Sequence, residues 1–212
     1  MPYALTSKFN VFIMLTAPNL IGLGWLVHGF GGRDTVYPPG IHTVKQIHSA
    51  IVLEAPDSHE GDALISREPG RLIGVKTADC VPILLACPTT HAVAAIHAGW
   101  RGTAQNIVAA AVAGLRYRYG TAPEDLHAAI GPSIGRCCYE VSSDVAHRFA
   151  PWVTETDHLD LPAINQIQLE NAGVRSLWKA DECTFCRADR YYSFRRDKEQ
   201  AGRMLSFIGA TA

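Results

Sequence analysis

Between Leu72 and Gly102 the chain alternates short apolar runs with turns that carry reactive side chains, and this pattern constrains the fold most. Leu72-Ile73-Gly74-Val75, Val81-Pro82-Ile83-Leu84-Leu85-Ala86 and Ala92-Val93-Ala94-Ala95-Ile96 have the length of strands. The Pro88-Thr89-Thr90 turn joins the last two as a hairpin, and Pro82 marks a strand start or an edge. A further strand is expected over His127 to Ile130. Helical spacing of Ile107, Val108, Ala111 and Leu115 predicts a helix from Thr103 to about Tyr119, stopped by Gly120. Ser142 or Ser143 caps a short helix through Phe149. Asp160 caps another from Leu161 to Ala172, with Pro162 in its first turn and Gly173 at its end. A last short helix is expected near Glu199 to Phe207. Strands outnumber helices without regular alternation, which favours α+β with a mixed sheet over a doubly wound fold. The 212 residues suffice for a single domain, 1–212, with a sizeable core.

Lys and Arg number 19 against 20 Asp and Glu, a formal charge of −1. Such a balance lacks the footprint of a nucleic-acid or membrane-surface binder, although a local basic cluster can still hold one anionic ligand. The apolar-rich stretch from Val11 to Val27 is interrupted by Pro18 and Asn19 and is followed by no convincing cleavage site. No uninterrupted apolar run reaches the ~20 residues of a membrane span. A soluble, cytoplasmic protein is expected, in which the 6 cysteines are free or metal-bound rather than a disulfide framework.

Three segments carry the chemical cues. Thr77-Ala78-Asp79-Cys80 sits where an apolar strand ends. In Ile96-His97-Ala98-Gly99-Trp100-Arg101-Gly102 a His closes a buried strand, and a helix start with Arg101 beside it offers N–H groups to an anion. In Lys45-Gln46-Ile47-His48, Gln46 and His48 share one face of an extended segment. One Cys and two His make a zinc set with an open fourth position. Read as packing instead, the same residues are a buried inert thiol and two hydrogen-bonded imidazoles.

Other motifs carry less. Gly131-Pro132-Ser133-Ile134-Gly135 fits a nucleophile elbow, but no His follows His158, so a Gly/Pro turn is the better reading. Cys183-Thr184-Phe185-Cys186 has no second C-x-x-C to complete a zinc ribbon, and the vicinal Cys137-Cys138 reads as packed thiols. The H-x-E and P-C-x-x-C halves of the zinc deaminase pattern are both absent. Arg33, after His28-Gly29-Phe30-Gly31-Gly32, and the Arg195-Arg196 pair are equally suited to an anion or to a surface ion pair.

Taken in order, these segments resemble the YfiH-like, laccase-domain family, formerly described as multicopper polyphenol oxidases. The match rests on His28-Gly29-Phe30, Gln46-Ile47-His48, Gly61-Asp62-Ala63-Leu64, Thr77-Ala78-Asp79-Cys80-Val81-Pro82, His97-Ala98-Gly99-Trp100-Arg101-Gly102, Ile130 to Gly135, Cys138-Tyr139-Glu140-Val141 and Ser193-Phe194-Arg195-Arg196-Asp197. The resemblance implies a layered α/β/β/α sandwich with mixed sheets. It implies one metal site, typically zinc, formed by His48, Cys80 and His97. It also implies phosphorolysis of purine nucleosides (adenosine, inosine, methylthioadenosine) to base and ribose 1-phosphate, with an accompanying adenosine deaminase activity. On that reading Arg33, Arg101, Arg195 or Arg196 holds phosphate, and Gln46 or Asp62 hydrogen-bonds ribose or base. The 9 histidines include no H-x-H pair, so a multicopper centre lacks its ligands. Copper at the single site, with phenol oxidation as a side reaction, stays open. Two alternatives stand beside these: a Cys-His amide hydrolase acting on cell-wall precursors with Cys80 as nucleophile, and a non-catalytic metal-binding module.

Overall fold

The computed structural model describes residues 14–152 and 157–211, so the first part of the Val11 to Val27 stretch lies outside the described residues. Among the described residues, nine strands form two sheets. The larger has six strands in the order β2 (Val52–Glu54), β3 (Ala63–Ser66), β6 (Val93–Ala98), β5 (Val81–Ala86), β7 (His127–Ile130) and β8 (Ser176–Lys179). It is mixed: β2–β3 and β7–β8 are parallel, and the central pairs are antiparallel. The smaller sheet, β1 (Leu26–Phe30), β9 (Met204–Ala210) and β4 (Ile73–Thr77), is antiparallel throughout.

Alternation along β5 explains the layering. Val81, Ile83 and Leu85 point to one face and join Ile96, Ile107, Val108, Leu115 and Ile164 in the core beneath the helices. Leu84 and Ala86 point to the other face and meet Phe30, Ile73, Val75 and Ile208 of the small sheet. A strand covered on both sides reads as a continuous apolar run, as this one does. Each fully buried Leu, Ile or Val contributes about 1.5–3 kcal/mol. The layered α+β arrangement is the one expected from the sequence.

Two local expectations are corrected. The helix foreseen from Thr103 to Tyr119 is two: α2 (Trp100–Ala104) and α3 (Ile107–Tyr119). Asn106 breaks them with a left-handed φ of 59°, a conformation Asn tolerates better than most residues. Gly120 ends α3 with φ 69°, as foreseen. The helix expected at Glu199 to Phe207 is instead strand β9, preceded by a single tight turn at Lys198–Gln200. β9 is paired on both edges, and a short apolar run of this kind cannot be assigned by periodicity alone. Pro82 is at a strand start, the second residue of a central strand. The β7 side of the ladder begins only at Ile83, so its missing N–H costs no pairing there.

α5 (Leu161–Asn171) starts at Asp160, whose carboxylate accepts the Ala163 N–H at 3.0 Å. Its buried Asn165 donates to Thr103 Oγ1 at 3.0 Å, and Gln168 donates to Thr103 O at 2.9 Å. These bonds fix α2, the short turn that carries Trp100 and Arg101. Among the described residues, no helix is long and apolar enough to cross a membrane.

Candidate active site

Cys80 lies where the chain passes from the small sheet to the large one, between β4 and β5. His97 is the penultimate residue of β6 and pairs across the hairpin with Pro82. His48 comes from the loop before β2. Cys80 Sγ is 3.9 Å from His48 Nε2, and the two imidazole rings meet edge to face at 4.8 Å between centroids. One donor atom from each residue lies within 4.8 Å of the other two. Donors sharing one tetrahedral zinc stand about 3.5 Å apart, so a small inward movement closes this set on a metal with the fourth position open.

Two buried aspartates hold the triad in place. Asp62 precedes β3, opposite His97, and the backbone ladder brings them together: His97 N–H donates to Asp62 O at 2.7 Å. The Asp62 carboxylate is fully buried and accepts His97 Nδ1–H at 2.8 Å. It also accepts the backbone N–H groups of Ile47 (3.2 Å), His48 (2.9 Å) and Ser49 (2.6 Å), and the Ser49 hydroxyl (2.7 Å). With Nδ1 committed to Asp62, His97 presents Nε2 to Cys80, the orientation metal-bound imidazoles adopt when a carboxylate stands behind them. Asp79 does the same for the other strand. It accepts Thr184 Oγ1–H at 2.7 Å, Ser193 Oγ–H at 3.1 Å and Arg195 N–H at 2.6 Å.

The clamping has a reason. His48 has φ 62° and Asp79 φ 89°, left-handed conformations for non-glycine residues. Each costs on the order of 1–3 kcal/mol. Hydrogen bonds to a carboxylate, about 1.5–3 kcal/mol each, offset that cost. Gly99 completes the close packing: a Cβ there would stand 3.0 Å from Cys80 Sγ and 3.0 Å from His48 Cδ2.

The electrostatics follow from the contacts. Burial by itself would raise the Cys80 thiol, but the adjacent His97 and His48 rings prevail and bring it down to about 6. Burial would lower His97, but the Cys80 sulfur and Asp62 prevail and hold it up, to about 9. Asp62, despite burial, stays far below the usual carboxylate range through His97 and Ser49. The contacts thus favour the thiolate of Cys80 and the imidazolium of His97 together, each supporting the charge of the other.

The triad opens into a cleft of about 630 Å³. Trp100, Tyr139, Phe194 and Leu161 supply apolar and aromatic walls, and Lys76, Arg101, Arg195, Lys198 and Arg203 supply positive charge. The Arg101 guanidinium lies 4.4 Å from the Trp100 ring centroid, and that of Arg195 lies 5.3 Å from Tyr139. Asp79, Tyr139, Phe194, Lys76 and Arg203 were not singled out from sequence. Asp79 and Phe194 stand inside motifs already marked, while Lys76 and Arg203 carry no local signal.

Other expected residues fall elsewhere. Arg33 donates to Tyr191 O and Asp197 and does not line this cleft. Arg196 spends its guanidinium on Asp197 and on the carbonyls of Thr184, Phe185 and Tyr191. Gln46 lines the cleft, but its amide is used at both ends, donating to Lys76 O at 2.8 Å and accepting Lys76 N–H at 2.7 Å. Asp62 is enclosed behind the triad, where its oxygens are occupied by protein donors. α2 is only five residues long, so the positive charge of the site comes from side chains and not from a helix terminus. Ser133 is buried in a turn whose backbone bonds to Glu182 O and Thr184 N–H, the structural role expected of it.

The chain is similar to known proteins in sequence and in fold. The sequence pattern of the multi-copper polyphenol oxidoreductase laccase family matches residues 34–211. A purine nucleoside phosphorylase of Deinococcus radiodurans is 42% identical over 189 residues, covering 85% of this chain and 72% of the relative. A protein of an unknown prokaryotic organism named adenosine deaminase RL5 is 37% identical, covering 82% and 74%. The crystal structure of YlmD from Geobacillus stearothermophilus superposes with a TM-score of 0.80 at 28% identity, covering 92% of this chain and 94% of that one.

Proposed function

This chain belongs to the multi-copper polyphenol oxidoreductase laccase family, and we propose that within it the protein is a purine nucleoside phosphorylase, converting adenosine, inosine or methylthioadenosine and phosphate to the free base and ribose 1-phosphate. The observation that carries this reading is the joining, in one cleft, of a His/Cys/His set with arginines and aromatic walls. Relatives at 42% and 34% identity bear that name.

The roles follow from position. Trp100, Tyr139 and Phe194 offer flat surfaces for a purine. Arg101 and Arg195 hold phosphate and aim it at the anomeric carbon of the ribose. His48, Cys80 and His97 hold the metal, and Asp62 keeps His97 in register behind it. One thiolate and two imidazoles with an open position suit zinc, and copper binds there only adventitiously. Bound zinc supplies Lewis acidity at the reacting centre.

A second reading, adenosine deamination at the same centre, is favoured by the relative named adenosine deaminase. Without metal, the lowered thiol beside a protonated imidazole is also the arrangement of a cysteine hydrolase.

One experiment separates these. Release of base from adenosine is measured with and without phosphate, on protein whose metal content is known. Phosphorolysis requires base release to depend on phosphate and to yield ribose 1-phosphate. Phosphate-independent release of base, or conversion of adenosine to inosine alone, would sink it. Cys80→Ala abolishes turnover and leaves the fold intact; retained phosphorolysis in that variant removes the triad from the reaction.

A further inference from the structure

Five of the six cysteines take no part in the cleft described above; Cys87 is buried against Thr89, and the other four stand together. Along the chain, Cys183-Thr184-Phe185-Cys186 lacks a second C-x-x-C. In space it has a second cysteine pair. Cys137 and Cys138 reach it across the fold, and one sulfur from each of the four residues lies within 4.8 Å of the others. Cys138 Sγ is 3.4 Å from Cys186 Sγ, and Cys137 Sγ is 3.7 Å from it. Four thiolates around one zinc, each at about 2.3 Å, stand ~3.8 Å from one another. A disulfide needs sulfurs at about 2.05 Å, and all four residues are free thiols.

The surrounding backbone is built for this approach. Ser133 and Cys183 pair as a parallel bridge, with Thr184 N–H donating to Ser133 O at 2.9 Å. Gly135 N–H then donates to Cys183 Sγ at 3.2 Å, a bond that favours the thiolate. Gly135 itself is hemmed in: a Cβ there would stand 3.3 Å from Cys183 Cβ and 3.4 Å from Cys137 Sγ. The turn that follows, with Cys138 and Tyr139 N–H both donating to Gly135 O, faces the vicinal pair toward Cys186.

We propose that Cys137, Cys138, Cys183 and Cys186 bind one Zn²⁺ in a closed four-thiolate site, separate from the His48–Cys80–His97 centre. Four protein ligands leave no open position, so this metal fastens structure and performs no chemistry. On binding, four thiols give up their protons and the cation takes their place. The two segments it joins both serve the cleft. Tyr139, next to Cys138, forms part of its wall, and Thr184, inside the C-x-x-C, donates to Asp79 beside Cys80.

The test counts zinc. Protein purified under reducing conditions is stripped of metal, reloaded with Zn²⁺ and dialysed, and zinc per chain is measured by mass spectrometry. Cys183→Ser/Cys186→Ser loses one zinc per chain relative to the unaltered protein. That loss persists in a His48→Ala/Cys80→Ala background, so it does not depend on what the cleft binds. Cys186→His supplies a replacement ligand and retains the zinc, which separates loss of a ligand from loss of the fold. Bound zinc also protects the four cysteines from alkylation. The proposal is overturned if the serine variant keeps its full zinc content, if alkylation is the same with and without zinc, or if the reloaded protein contains a Cys138–Cys186 disulfide.

Discussion

Asp62 Oδ1 accepts His97 Nδ1–H at 2.8 Å, while the same carboxylate gathers the N–H groups of residues 47, 48 and 49. One buried side chain thus sets the orientation of two of the three candidate metal ligands. Asp62→Asn keeps the volume and removes the charge. It lowers zinc affinity about 10–100-fold, the range typical of lost outer-shell partners. Equilibrium titration with zinc, with far-UV circular dichroism as a check on folding, measures this. Unchanged affinity would show that the ligands are held by packing alone.

Arg101→Ala raises the KM for phosphate by about tenfold or more, a loss of roughly 1.4 kcal/mol of binding, and changes the KM for nucleoside less. Arg196→Ala has the opposite profile. Its guanidinium is committed to Asp197 and three carbonyls, so its removal costs about 1.5–3 kcal/mol of stability and leaves the KM for phosphate alone. Kinetics at varied phosphate and a urea denaturation series distinguish the two arginines.

Gly99→Ala places a Cβ 3.0 Å from both Cys80 Sγ and His48 Cδ2. The backbone at Gly99, φ −75°, tolerates any residue, so the effect is local to the site. Turnover falls on the order of 10²-fold, as expected when reacting groups are displaced by a fraction of an ångström to one ångström, while the melting temperature changes little. A variant with normal kcat would mean that the triad has slack to absorb a methyl group.

His28 is buried, and its Nε2 accepts the Ala17 N–H at 2.9 Å, which requires an unprotonated ring. Burial lowers its pKa from 6.5 to about 4. Between those values the unfolded chain binds a proton that the folded chain does not, so stability is full above pH 6.5 and declines as the pH falls toward 4. The decline amounts to roughly 2–3 kcal/mol. His28→Gln removes the titration and flattens this part of the curve. Parallel slopes for the two proteins in urea unfolding between pH 7 and 4 would rule His28 out as the source.

Local sequence carries some parts of this molecule and not others. The strands that end in Cys80 and His97 were visible because short apolar runs terminate at reactive residues. Gly120 and Asp160 were readable because caps act over a single turn. The clamp at Asp79 was hidden because its partners, Thr184, Ser193 and Arg195, lie more than a hundred residues away along the chain. The grouping of Cys137 and Cys138 with Cys183 and Cys186 was hidden because the two pairs stand 48 and 49 residues apart at their Cys186 contacts, far outside any local metal-ligand spacing. Arg195 and Arg196 could not be told apart by position: as neighbours in a short helical turn (α6, Phe194–Asp197), one lines the cleft while donating to Glu140 O, and the other is tied to Asp197 and three carbonyls away from it.

Strand β9 lies between β1 and β4, and β4 runs directly into Asp79 and Cys80. Synthesis proceeds from the N-terminus at about 5–20 residues per second. The ribosome therefore finishes the large-sheet hairpin that carries His97 long before it releases the strand that pairs with β4. Cys80 waits, during manufacture, for residues 204–210 to supply its supporting ladder. A nascent chain halted before Met204 holds every proposed metal ligand and lacks the strand that anchors one of them.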